Sequence, residues 1–298
     1  MQEATKGVWA MVLACTFWGL SPLYYKLLEH VPPIEILAHR TLWSVGFFTA
    51  ILLFQRRIST LYQVVANGRS FLILSFGALM ISFNWFIFIT SIQVGKAVEA
   101  SMGYYTFPLV VVLFGAIFFG ERLGRAQLLA VALAVVAVVT LTAGLGVAPW
   151  IALLIATSFG LYGVVKKRLS IGPVVSVTAE VMLLSPIAIV ILWSTHKTGA
   201  GAFGATISDS LLLVLSGPIT AIPLITFSYA TKRVSLATIG LVQYLNPTLQ
   251  FLVATLIFRE AFSFWHAVAF AMIWTALAIY TAAIWGQDRA ARRATPSP

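Results

Sequence analysis

Ten stretches of about twenty apolar residues run almost end to end along this chain of 298 residues. That length is what a helix needs to cross the hydrocarbon core of a bilayer. The stretches cover roughly 7–27, 34–54, 71–91, 98–118, 127–145, 149–167, 174–193, 210–230, 236–257 and 265–285. They are too long for strands and lack the two-residue alternation of a membrane barrel. The expected fold is an all-α polytopic membrane protein with ten transmembrane helices. Composition agrees: 60% of residues are hydrophobic and only 9% are charged, whereas a soluble surface needs roughly a quarter of the chain charged. No stretch remains for a separate soluble domain.

The formal charge of +10 would suit nucleic acid if it formed a patch, but its placement has another meaning. With the N-terminus in the cytoplasm, that side collects fourteen of the 19 Lys and Arg residues: Lys6, Arg56, Arg57, Arg69, Arg122, Arg125, Lys166, Lys167, Arg168, Lys232, Arg233, Arg289, Arg292 and Arg293. The opposite side receives Lys96, Lys197 and Arg259, and Lys26 and Arg40 fall near or inside the first hairpin. This asymmetry places both termini in the cytoplasm. The basic excess is thus an orientation signal, and no nucleic-acid partner is expected. Cys15 is the only cysteine, so no intrachain disulfide forms.

The two halves of the chain resemble each other. A shift of 141 residues carries Phe17-Trp18-Gly19-Leu20 onto Ser158-Phe159-Gly160-Leu161, and Pro32 onto Pro173. Farther along, a shift of 139 carries Tyr105, Pro108 and Glu121 onto Tyr244, Pro247 and Glu260. The order is kept with one small indel, which reads as a five-helix repeat. Five is odd, so the second copy is inverted in the membrane, an architecture common among secondary transporters. The expected organisation is a first repeat over 1–146, an inverted second repeat over 147–288 and a basic cytoplasmic tail over 289–298.

Proline breaks inside lipid are tolerated where protein or water satisfies the freed backbone. Pro22 follows Trp18-Gly19 in the first segment, Pro186 lies in the seventh, and Pro218 and Pro223 lie in the eighth, with Asn84 of the third segment matching Pro223. Pro108 and Pro247 interrupt the fourth and ninth segments at equivalent places. Pro22, Pro108, Pro223 and Pro247 are therefore candidate hinges, with simple packing kinks as the alternative.

The same segments carry a polar and aromatic lining. Gln243, Asn246, Pro247 and Gln250 share one helical face, and the matching face of the fourth segment holds Tyr104, Phe107, Pro108 and Val111. Amides on one face are costly in lipid and so point inward. Gly77, Asn84 and Ser91 recur at seven-residue spacing with Trp85 beside them. With Trp18, Tyr105, Tyr162, Tyr229 and Tyr244 this lining suits a solute that has polar and apolar parts. The alternative for each amide is a hydrogen bond between helices.

Ionisable groups at depth are rarer. Arg40, beside His39, lies inside the second segment, and Glu180, which the repeat matches to His39, lies inside the seventh. Glu99 and Lys96 flank the start of the fourth; Glu121 and Glu260 end the fourth and ninth. The other acids, Glu35 among them, are expected in loops, tails or helix ends. There is no metal-ligand grouping, phosphate-cradling loop or convergent nucleophile, so no metal, cofactor or enzymatic activity is expected.

Leu13-Ala14-Cys15-Thr16-Phe17-Trp18-Gly19 with Lys26, and Pro108 followed by Gly120-Glu121-Arg122-Leu123, resemble the EamA repeat of the drug/metabolite transporter superfamily. His39-Arg40-Thr41-Leu42-Trp43-Ser44, Asn84-Trp85 and Glu99-Ala100-Ser101-Met102-Gly103-Tyr104 resemble its RarD-like branch more closely. The resemblance implies ten helices, inverted five-helix halves and a central cavity, with the fifth and tenth helices peripheral. It also implies substrates drawn from amino acids, drugs, nucleotide sugars or triose phosphates. Phe107 departs from the Asn common before the fourth-helix proline in that branch, so this wall is less polar.

The resulting expectation is a secondary transporter of the inner membrane that exports amino acids or related small metabolites through a central cavity. Transport is expected to be facilitative, because only Glu180 stands deep enough to carry a proton. The substrate-binding candidates are Trp18, Arg40, Asn84, Trp85, Glu99, Tyr104, Tyr105, Tyr162, Glu180, Tyr229, Gln243, Tyr244 and Asn246. Drug export, possible with proton coupling, is the second reading; the expected partners are the solute and the bilayer, with a monomer as an adequate unit. In a Cys15→Ala background, cysteines at Arg57, Lys167 and Arg292 should react with an impermeant thiol reagent only from the cytoplasm, and one at Lys197 only from outside. Labelling of position 167 from outside would overturn the inverted topology.

Overall fold

A computed structural model describes residues 2–120, 123–167, 169, 171–234 and 236–294. Glu121, Arg122 and Arg168, used above in aligning the repeats and sorting the charges, lie outside the described residues, as do 295–298 of the expected tail. Every apolar run is helical. The helices are α1 (Gln2–Leu27), α2 (Pro33–Phe54), α3 (Ile58–Ala66), α4 (Gly68–Gln93), α5 (Ala97–Phe119), α6 (Arg125–Leu145), α7 (Trp150–Lys167), α8 (Pro173–Lys197), α9 (Ile207–Thr231), α10 (Leu236–Gln243), α11 (Leu245–Leu252) and α12 (Phe264–Ala294), with a π turn over Val253–Ile257. No strand of a sheet occurs among the described residues.

Local chemistry sets several of these boundaries. Pro33 and Pro173 open α2 and α8, where a missing N–H costs nothing. Asn67 caps α4 through the Ser70 amide at 2.9 Å, and Thr206 caps α9 through the Asp209 amide at 3.0 Å; each satisfies a backbone donor that the helix leaves free.

Three features differ from the expectation. Eight helices are long and apolar enough to span a membrane: α1, α2, α4, α5, α6, α8, α9 and α12. The other two runs are shorter, α7 because Pro149 precedes it and the ninth because its backbone breaks at Tyr244 and loosens into the π turn. Second, α3 fills the connection after α2. Ile58, Leu61, Val64 and Val65 fall on one face of it; Leu61 is buried with Leu52, Leu74, Val175 and Ala179, and Val64 and Val65 pack on that cluster. Third, α12 runs on to Ala294, so the first part of the expected tail is helical.

The packing is interleaved. The principal partner of each spanning helix comes from the other half of the chain, and the pairs repeat when the halves are exchanged. Thus α5 packs on α7 as α10–α11 pack on α1. Likewise α4 packs on α7 and α8 as α9 packs on α1 and α2, while α2–α8 and α6–α12 map onto themselves. Glycines permit two of these contacts at equivalent places. A Cβ on Gly19 of α1 would meet the Leu249 Cβ of α11 at 2.6 Å, and one on Gly160 of α7 would meet Val110 and Phe114 of α5 at 3.0 Å. Such close approach is how helices gain dispersion contact in lipid, where no hydrophobic drive pairs them.

One end of the bundle is tied across the halves. His30 meets Asp209 at 3.0 Å, the Ala202 amide donates to Glu35 at 2.7 Å, and the Tyr24 hydroxyl donates to the Leu212 carbonyl at 2.8 Å. At the same end Glu260 accepts from the amides of Ala97 and Val98, both at 2.8 Å, capping α5. Burial pushes the Glu260 carboxyl above its ordinary pKa, opposed by those two amides. The other end holds the N-terminus, where Glu3 bonds Arg233 at 2.9 Å.

Gly103 makes the tightest backbone approach between α5 and α7. A Cβ there would lie 2.9 Å from the Ala152 carbonyl oxygen and 2.8 Å from the Ile155 Cβ. Gly103→Ala should therefore lower stability by about 1–3 kcal/mol through overpacking. Gly46→Ala, where nothing lies within 4 Å, should be neutral or slightly stabilising. Thermal unfolding of the two variants in the same detergent checks the contrast.

Candidate solute-binding site

Arg40 stands in the third turn of α2 and is 6% exposed. Its Nε donates to the Thr220 hydroxyl of α9 at 2.9 Å, and its Nη1 to the Tyr25 hydroxyl of α1 at 2.5 Å. The guanidinium lies over the Trp85 ring of α4, 3.9 Å from its centroid. These contacts join four helices from both halves. A guanidinium stays charged under all ordinary conditions. Among the described residues no carboxylate stands within ion-pair distance of it, and Nη2 makes no hydrogen bond.

Glu180 stands at the matching depth of α8 and is 1% exposed. Its Oε1 pairs with Lys166 at 2.5 Å and accepts from Ser176 at 3.1 Å, while its Oε2 accepts from the Tyr162 hydroxyl at 2.9 Å. Lys166 also donates to Ser176 and lies over the Tyr162 ring. Gly77 of α4 makes room for this group, since a Cβ there would meet Val165 at 3.1 Å and the Glu180 Oε1 at 3.5 Å. The 141-residue shift pairs Tyr25 with Lys166, Glu35 with Ser176 and His39 with Glu180. The two polar clusters are therefore repeat equivalents. In the second half the cation and the carboxylate neutralise each other. In the first half Glu35 turns to the Ala202 amide, leaving Arg40 with hydroxyls alone.

An aromatic ladder connects the clusters. Tyr25 meets Phe88 at 5.9 Å, Phe88 meets Tyr104 at 5.6 Å, Tyr104 meets Phe159 at 5.9 Å, and these three contacts are edge-on. Phe159 then stacks on Tyr162 at 6.0 Å. One end of the ladder bonds Arg40 and the other bonds Glu180. Asn84 holds the middle: its Nδ2 donates to the Ile155 carbonyl at 2.9 Å and to Ser158 at 3.0 Å, and its Oδ1 accepts from Tyr104 at 2.9 Å. Asn84 is fully buried and its amide is engaged by protein, so it ties α4, α5 and α7 together and aims Tyr104.

The remaining candidates are dispersed. Trp18 packs on Phe227 at the α1–α9 contact. Asn246 accepts from Gln250 one turn on, at 2.9 Å, and Gln243 ends α10. Tyr105 bonds Thr248 at 2.6 Å and packs on Phe270 and Trp274. With Tyr244 it lines a separate apolar cleft of about 540 Å³ against α12, walled also by Leu241 and Leu277. Tyr104 and Tyr105, neighbours in sequence, thus serve different places. Glu99 pairs with Lys96 at 3.2 Å near the tied end, and Tyr229 is exposed beneath Arg233 at the N-terminal end. Both stand apart from the ladder, because each belongs to the terminal turns of its helix.

The paired prolines sit in helices of differing regularity. α5 continues through Pro108, which only removes the donor to the Tyr104 carbonyl. In the ninth run α10 ends at Gln243 and α11 starts at Leu245, with Tyr244 between them at helical dihedrals, and Pro247 removes the donor to the Gln243 carbonyl. Pro22 and Pro223 lie within continuous α1 and α9.

The structure adds residues that the sequence left unremarked. Glu35 lies at a helix end, as expected, and is fully buried beneath the 198–206 segment; its Oε2 and the His39 Nε2 have no hydrogen-bond partner, the latter standing 3.9 Å from the Glu35 Oε1, and Phe203 stacks on His39 at 5.1 Å. Tyr25 and Thr220 sat unmarked within apolar runs. Lys166 was counted only as an orientation charge. The repeat shift held the signal for Lys166 and Tyr25, since it sets both opposite the same helix position.

Residues 5–143 match the EamA-like transporter family. The chain is 41% identical over 283 residues to "Uncharacterized transporter YojE" of Bacillus subtilis, covering 94% of each protein. It is also 41% identical over 278 residues to "Protein RarD" of Streptomyces exfoliatus, covering 93% of this chain and 87% of that one. A solved crystal structure that is 21% identical matches with a TM-score of 0.60 over 93% of this chain and 96% of its own, and so shares the fold. The apolar helices and these relatives make the protein a multi-pass membrane transporter. It belongs to the EamA family of the drug/metabolite transporter superfamily, in the RarD-like branch.

Proposed function

We propose that the protein exports amino acids or related small metabolites across the inner membrane by facilitated alternating access. In this reading ten spans form two inverted five-helix repeats, 1–146 and 147–288, with both termini in the cytoplasm. The observation that carries it is the interleaved packing that maps onto itself when the halves are exchanged. Inverted halves with equivalent contacts can trade conformations, and that exchange moves a central site from one face to the other. Orientation rests on the excess of Lys and Arg at the N-terminal end.

The facilitative part rests on Glu180. A proton carrier needs a titratable group that is free to change partner during transport. Glu180 is held by Lys166, Tyr162 and Ser176. The same engagement weighs against export of cationic drugs, which would draw on a free buried carboxylate.

Reconstituted protein should equilibrate members of a labelled amino-acid panel without a pH gradient. Lys166→Gln or Glu180→Gln alone should lower stability by about 3–5 kcal/mol, since each leaves a buried charge unpaired. The double variant should recover most of that loss and retain flux. Accumulation against a gradient that requires ΔpH and vanishes in the double variant would overturn the facilitative reading.

A further inference from the structure

We infer that Arg40 is the carboxylate subsite of the transported solute, and that the preferred solute is an organic monoanion with an apolar or aromatic body. This inference rests on the transporter reading and narrows its substrate class. The argument begins with the unmatched charge. A buried permanent cation is costly unless something compensates it. Lys166 has that compensation in Glu180; Arg40, in the equivalent cluster, has two hydroxyls and an aromatic face. Glu35 is five residues away on α2, bonds the Ala202 amide and makes no ion pair with Arg40. The three contacts on Arg40 engage Nε, Nη1 and one face of the plane, leaving Nη2 for a further acceptor. A guanidinium edge is suited to a carboxylate.

The rest of the solute finds aromatic surface. Trp85 and Tyr104 are half-buried beside Arg40, and the ladder continues through Phe159 to Tyr162. A solute ammonium finds no comparable partner among the described residues: Asn84 is fully buried with its Oδ1 held by Tyr104, Glu180 is neutralised by Lys166, and the spare Glu35 oxygen is fully buried beneath the 198–206 segment. The site therefore reads the negative end of a solute by charge and its body by apolar contact. An amino acid is accepted through its carboxylate, and its amine adds nothing.

The test uses purified full-length protein in nanodiscs and four probes that share one phenyl body: 3-phenylpropanoate, phenylalanine, 3-phenylpropanamide and phenylalanine amide. Binding is read by tryptophan fluorescence, because Trp85 touches the guanidinium, and by thermal shift. The wild type should bind 3-phenylpropanoate at least about tenfold more tightly than the neutral amide, a difference of about 1.4 kcal/mol. The cation should bind weakest. Arg40→Gln should abolish the ranking, and Arg40→Lys should retain part of it. The wild-type ranking stands on its own if Arg40→Gln fails to fold. Equal binding of all four probes, or an unchanged ranking in folded Arg40→Gln, overturns the subsite. Counterflow of labelled 3-phenylpropanoate in proteoliposomes separates the two readings. Charge-selective binding without flux keeps the subsite and sinks the transport reading. Flux that is indifferent to Arg40→Gln does the reverse.

Discussion

In hydrocarbon a polar group has no water to fall back on, and most of this structure follows from that constraint. The backbone meets it by forming helices. The side chains meet it by bonding to one another, some across the interface between halves and some within one half. Arg40 reaches hydroxyls on α1 and α9, Asn84 reaches α5 and α7, and Glu180 reaches α7. Arg40 and Asn84 draw partners from the other half, while Glu180 is satisfied within its own. The repeats are units of sequence, while the packing unit is the whole bundle.

Duplication supplied two equivalent polar clusters, and divergence made them differ. Where the second copy has Lys166, Ser176 and Glu180, the first has Tyr25, Glu35 and His39, with Arg40 one residue further on. One cluster is closed, a cation and a carboxylate sharing their charge with Ser176 and Tyr162. The other is open, a cation whose only partners are neutral.

The architecture was legible in the sequence to the extent that it depends on hydropathy and repetition. All ten runs are helical, most within a few residues of their expected bounds, though the ninth is divided and the tenth runs on to Ala294. α3 escaped notice because nine residues are too few for a span, and its four apolar positions are an amphipathic signal read only when a surface is known to lie beneath. The site was legible in part. Arg40 and Glu180 stood out because ionisable residues at depth are rare. Thr220 and Tyr25 did not, since a hydroxyl in an apolar run has no pattern of its own. The burial of Glu35 was not legible for a different reason: position in a helix does not determine burial when a distant loop, here 198–206, folds over it.

The glycine contacts at Gly19 and Gly160 have a mechanical meaning. Both are seams where side chains of one helix press directly on the backbone of the other, Leu249 at Gly19 and Val110 with Phe114 at Gly160. The seam between α7 and α5 is stapled by Asn84, which binds the α7 backbone and the Tyr104 of α5 at once. The seam between α1 and α11 lacks an amide staple among the described residues, and it adjoins the Tyr244 break and the π turn. Stiffness is therefore unequally shared between places that the repeat makes equal. α4, α5 and α7 form a block, and α1 rides on a helix whose own hydrogen-bond ladder is already interrupted.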